Sequence, residues 1–117
     1  MHRISIVLVW LALASAASAQ SAPLPSDLQT FRATRGATWG PDRRAAIDAM
    51  GRIFAHTTWT GMPFAQVRAL LGPEERAETN GGVPCLVYAR HDGEQGDIRR
   101  LCGANARVDT VERLRTQ

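Results

Sequence analysis

Lysine is absent: all 14 basic residues are arginine, set against 11 acids and 3 histidines. The lysine that phosphate-cradling loops use is therefore missing, and Asn80-Gly81-Gly82 lacks the strand-to-helix setting such a loop needs. The absence reads as a compositional bias of the genome. The arginines are scattered among the acids, which excludes a nucleic-acid binder, whose charges would cluster. Past residue 19, serine occurs only at Ser21 and Ser26, so a serine nucleophile with its base and orienting group has no place to form. Glu74-Glu75 are neighbours just after a helix end, and no zinc, calcium or nucleotide signature occurs. No cofactor or metal is expected. His56 among Thr57, Thr58 and Thr60, and His91-Asp92, read as connector and turn composition.

Long apolar runs are also missing. Ile4 to Leu13 is uncharged and apolar, about half of the ~20 residues a membrane span requires. With His2 and Arg3 before it and Ala17-Ser18-Ala19 after it, the run reads as a signal peptide over residues 1–19. No cysteine lies near the cleavage point, so no lipid anchor is expected. The product is expected to be periplasmic or secreted. Removing Arg3 leaves a net charge of about +2 on one small domain.

Cysteine is scarce, with only Cys85 and Cys102. In an exported chain an even pair implies a disulfide. The rivals are a metal pair, which lacks partner ligands at a recognisable spacing, and a redox dithiol, which more often has two residues between its cysteines.

What is present falls into segments. Residues 20–38, rich in Ser, Ala, Pro, Thr and Gln, read as a flexible lead-in, and residues 39–117 as a small domain. A helix is predicted from Pro41 to Ala55, with Ile47, Met50 and Phe54 on one face and Ala46 and Ile53 flanking it. Gly51 either weakens that helix or marks a close approach between helices. Asp48 and Arg52 are spaced to pair along it. In Thr60-Gly61-Met62-Pro63-Phe64-Ala65-Gln66-Val67-Arg68-Ala69-Leu70-Leu71-Gly72-Pro73, Pro63 suits a first helical position. Phe64, Val67, Leu70 and Leu71 form an apolar stripe, and Gly72-Pro73 stops the helix. After polar Glu74–Thr79 and the turn Asn80-Gly81-Gly82, strands are predicted over Val83–Arg90 and Asp97–Cys102. Placing Cys85 opposite Cys102 sets Leu86 against Leu101, Ala89 against Ile98 and Arg90 against Asp97. Beyond Cys102, Val108, Val111 and Leu114 at spacings of three favour a helix slightly, while a turn at Gly103–Ala106 followed by a strand is the alternative.

The block Gly61-Met62, Val67, Leu70-Leu71-Gly72-Pro73 resembles the motif of the small outer-membrane assembly proteins of the SmpA/OmlA (BamE) type. Asn105-Ala106-Arg107-Val108-Asp109-Thr110-Val111 is similar to that family's closing turn and strand. The resemblance spans roughly Pro41 to Leu114. It implies an α+β fold in which two helices pack on a three-stranded antiparallel sheet, a unit that recurs in the proteinaceous β-lactamase inhibitors, and it selects strand for the tail. It further implies a non-enzymatic interaction module of the cell envelope, with a protein partner held at an open sheet face or edge. The alternative is an inhibitor of an exported enzyme, for which Glu74–Val83 is the loop of adequate length. Trp39, Trp59 and Tyr88 are the candidate partner contacts, unless they seal the core.

Overall fold

A computed structural model describes residues 22–35, 41–91 and 95–115. The expected signal peptide, Trp39 and the hairpin tip at Asp92–Glu94 lie outside the described residues. The elements run α1 (Pro25–Ala33), α2 (Pro41–His56), α3 (Phe64–Leu71), β1 (Arg76–Asn80), β2 (Val83–His91), β3 (Gly96–Cys102), a 3₁₀ turn (Ala104–Ala106) and β4 (Thr110–Leu114). The four strands form one antiparallel sheet in sequence order. Among the described residues the fold is α+β with one disulfide, and it has three helices and four strands where two and three were expected.

The extra helix sits in the expected flexible lead-in. Pro25 opens it, Asp27 lies in its first turn and Arg32 in its last, which suits the helix dipole. Phe31 is fully buried and Leu28 packs against the same core. Asp27 pairs with Arg52 of α2 at 2.9 Å. Arg52 was expected to pair along its own helix with Asp48. Its hydrogen bonds go instead to Asp27, 25 residues away.

The extra strand is β1. Its residues read as polar linker because an edge strand need not alternate apolar and polar residues. Gly81-Gly82 is the whole connection to β2, with Asn80 opposite Val83. Both glycines have positive φ, 60° and 85°, the backbone that a two-residue hairpin requires. Glu74–Val83 is therefore not the free loop that an inhibitor reading calls on.

The β2–β3 register is the one expected, with Cys85, Leu86, Ala89 and Arg90 opposite Cys102, Leu101, Ile98 and Asp97. Cys85 and Cys102 are bonded. The tail is a strand, as the resemblance implied over the helical spacing. Gly103 permits the turn before it: its N–H donates to the Pro84 carbonyl at 3.1 Å, and a Cβ there would meet the Arg107 carbonyl oxygen at 1.5 Å.

Alternation along the strands separates two faces. Leu86, Tyr88 and Leu101 point toward the helices and join Met50, Ile53, Phe54, Phe64, Val67 and Leu71 in the core. The buried face of α2 is turned slightly from expectation. Ala46, Ala49 and Ile53 are buried with Met50 and Phe54, while Ile47 is half-buried. No atom comes within 4 Å of a Cβ placed on Gly51, so that glycine marks no close approach. α3 begins one residue after Pro63 and buries Phe64, Val67 and Leu71, with Leu70 half-buried.

The disulfide closes a loop across a sequence separation of 17, a constraint worth about 3 kcal/mol in the chain-entropy model. Urea unfolding of the Cys85→Ala/Cys102→Ala double variant is expected to show a loss of about 3 kcal/mol. An unchanged midpoint would contradict that.

Candidate functional site

The two sequence blocks that carry the resemblance lie far apart in the chain and meet in space. The Gly61 N–H donates to the Val108 carbonyl at 2.7 Å, and the Val108 N–H donates to the Met62 carbonyl at 2.9 Å. The Arg107 guanidinium reaches the Gly61 carbonyl at 3.0 Å, and Pro63 bridges to Arg107. The segment entering α3 thus forms a short ladder with the segment entering β4. Asn105 and Ala106, at φ 59° and 56°, turn the chain so that Val108 drops into the core, where it is fully buried. Of the motif residues, Val67 and Leu71 are core, Met62 and Leu70 pack against it, and the Gly72 N–H closes α3 on the Arg68 carbonyl at 2.8 Å. Pro73 is exposed.

Around the end of α3, carbonyl oxygens that have no partner within a helix are taken up by side chains. Tyr88 donates its hydroxyl to the Gly72 carbonyl at 2.6 Å. Arg32 donates to the Ala69 carbonyl and Arg35 to that of Pro73. Arg90, buried on β2, donates to the Phe31 carbonyl near the end of α1 at 2.8 Å. It also donates to Glu75 at 2.5 Å, and its guanidinium lies 3.8 Å from the Phe31 ring centroid. Burial pulls the Arg90 guanidinium below its ordinary pKa, opposed by the charge of Glu75. Arg68 grips Glu74 with two bonds of 2.9 and 2.8 Å, and this hydrogen bonding holds the Glu74 carboxyl below the usual carboxylate range.

Two of the three candidate partner contacts belong to the core. Tyr88 is fully buried, and Trp59 is buried and stacked on Phe54 with ring centroids 4.9 Å apart. Each seals the small core by its apolar body, which removes it from any contact surface. Trp39 is outside the described residues. His56 is exposed at the end of α2. His91 Nδ1 lies 3.1 Å from Arg43 Nη2. Arginine only donates, so this nitrogen accepts and the ring's proton sits on Nε2. Among the described residues no group of three or more His, Cys, Asp or Glu is placed to hold a metal ion, and no helix is long and apolar enough to cross a membrane.

The helices pack on one face of the sheet, and its outer face and edges carry a different set of side chains. On the outer face Arg100 bridges Glu78 of β1 and Glu112 of β4 at 3.1 and 2.7 Å, and Arg76 joins Glu78 at 2.9 Å. Hydrogen bonds from Arg76 and Arg100 draw the Glu78 carboxyl below its ordinary pKa. A shallow cavity of about 260 Å³ beside β1 is lined by Phe64, Arg68, Ala77, Thr79 and Pro84 among others. The outer edge of β4 carries Val111, 37% exposed. Sequence reasoning placed Arg90 and Val111 on strands without giving them a site role, and it passed over Arg32 and Arg35. An arginine two residues from a tyrosine in an otherwise apolar strand was the one available signal. No family model, curated protein or solved structure matches the chain.

Tyr88 is the only tyrosine in the chain, and burial raises its phenol pKa far above 10.0. A raised native pKa means that the stability the buried phenol contributes is complete below pH 10 and falls as pH climbs above it. The phenolate absorbance is expected to stay silent near pH 10 and to appear together with alkaline unfolding. A simple titration at the ordinary pKa in the folded protein would contradict the buried hydrogen bond.

Proposed function

We propose that this chain is a non-enzymatic protein-interaction module of the bacterial cell envelope, similar in kind to the SmpA/OmlA (BamE)-type assembly proteins. The single observation that supports this reading most is the ladder between Gly61-Met62 and Arg107-Val108. The two stretches that resemble the family are those that fasten the helical layer to the last hairpin. The motif residues therefore make one coherent scaffold, which a chance likeness of two short stretches has no reason to do. The disulfide between Cys85 and Cys102 accords with an oxidising, exported setting.

Recognition on this reading is by surface complementarity at the sheet. Its outer face carries the Arg76–Glu78–Arg100–Glu112 row, and its edge strands offer main-chain groups to an extended segment. The polar row sets orientation and disfavours wrong partners more than it adds affinity. Inhibition of an exported enzyme gains no support here, because its loop is taken up by β1.

The test is chemical crosslinking of the tagged, exported chain in intact envelopes, followed by identification of the captured proteins. Outer-membrane proteins are expected, with capture reduced several-fold by Arg100→Glu, which reverses the centre of the polar row. Recovery of a single soluble exported enzyme, inhibited by the purified chain, would overturn the reading in favour of the inhibitor. A hydrolytic activity lost in His56→Ala would overturn it in favour of an enzyme.

A further inference from the structure

The two edges of the sheet are not alike. β1 presents Arg76, Ala77, Glu78, Thr79 and Asn80 and no large apolar side chain. This is the polar, short edge by which sheets discourage pairing. β4 presents Thr110-Val111-Glu112-Arg113-Leu114, and Val111 is one of two large apolar side chains exposed among the described residues. Val111 stands opposite Leu101, in the row that faces the helices. Leu101 is fully buried and Val111 is not. The helical layer therefore ends between β3 and β4.

We propose that β4 is a self-pairing edge, joining two copies of this chain antiparallel about a two-fold axis at Val111. An antiparallel pair of identical strands related by a two-fold axis keeps each residue opposite one on the same sheet face. The axis must therefore pass through a residue position, and the charges distinguish the possibilities. Centring on Glu112 sets Glu112 against its own copy, and centring on Arg113 does the same for Arg113. Like charges directly opposed destabilise a strand pair. Centring on Thr110 sets Val108, which is fully buried, against Glu112.

Centring on Val111 opposes no like charges within β4 itself. Val111 meets Val111 and covers the exposed apolar surface. Asp109 faces Arg113 twice, once on each side of the axis, and Thr110 faces Glu112, a hydroxyl against a carboxylate. The Arg113 side chain pairs with Asp97 at 3.5 Å and is 68% exposed, so its remaining donors face the second copy. The two sheets then continue as one of eight strands, and β1 remains the outer edge of each half. A contact confined to about five residues per strand is small beside standard interfaces, so the dimer is weak. It is independent of any envelope partner.

The test uses the chain with its native disulfide intact and one added cysteine. Val111→Cys is expected to form a disulfide-linked dimer under mild oxidation at least about tenfold faster than Thr79→Cys on the β1 edge, because pairing raises the effective thiol concentration. Sedimentation of the unaltered chain is expected to show concentration-dependent dimerisation that Val111→Glu, which opposes like charges across the axis at a side chain already 37% exposed, abolishes without lowering thermal stability. Equal crosslinking rates at the two edges, or a monomer up to ~1 mM, would overturn the proposal. Capture of envelope proteins bears on neither measurement.

Discussion

A helix that ends against a sheet leaves carbonyl oxygens pointing into protein, and each buried one without a donor costs about 1–3 kcal/mol. Two of the described helices end in that way, α1 at Phe31–Ala33 and α3 at Ala69–Gly72. The donors come from side chains placed on other elements. Arg90 on β2 serves α1, Tyr88 on β2 serves α3, and Arg32 and Arg35 reach from α1 and the turn after it to the end of α3. This closes a cycle: the sheet caps α1, α1 caps α3, and α3 leads into the sheet. An arginine suits such work because its fork of donors can serve a carbonyl, a carboxylate and an aromatic face at once. Arg90 does so with Phe31, Glu75 and the Phe31 ring.

Much of the fold was legible in residues whose signal is local. Pro63 with Gly72-Pro73 bounded α3 to within a residue, and the Cys85–Cys102 pairing gave the β2–β3 register in full. What stayed hidden depends on partners distant in sequence. The segment holding α1 reads as linker until Asp27 finds Arg52 and Phe31 finds its slot beside Tyr88. β1 has no apolar alternation to betray it. The turn Asn80-Gly81-Gly82 was the one signal for it, since a two-residue hairpin turn demands a strand on each side, but Glu74–Thr79 read as a polar segment. The tail showed the limit of periodicity alone, because Val108, Val111 and Leu114 repeat every three residues but belong to a turn and a strand.

The candidate site was legible in part. The motif blocks were visible in the sequence, but their contact was not, because a ladder between residues 61–63 and 107–108 leaves no mark in either stretch. The aromatic anchors misled for a physical reason. Trp59 and Tyr88 have the large apolar bodies that interfaces favour, and a small domain needs the same bodies to fill its core. The surfaces that remain are polar on the sheet's outer face and mixed at β4. The disulfide and the capping arginines hold together a scaffold whose described surface carries few exposed apolar groups.

Arg90 is the side chain on which the cycle of caps turns, and native-state hydrogen exchange of Arg90→Met tests it most directly. Methionine keeps the length of the stem but removes the guanidinium, leaving the Phe31 carbonyl only the Thr34 hydroxyl and Glu75 only the Ala89 N–H. Loss of protection concentrated in Pro25–Ala33, with β2 and β3 amides still protected, is the expected result. Unchanged protection in α1 would contradict the account, because the helix would then be held by its apolar contacts alone.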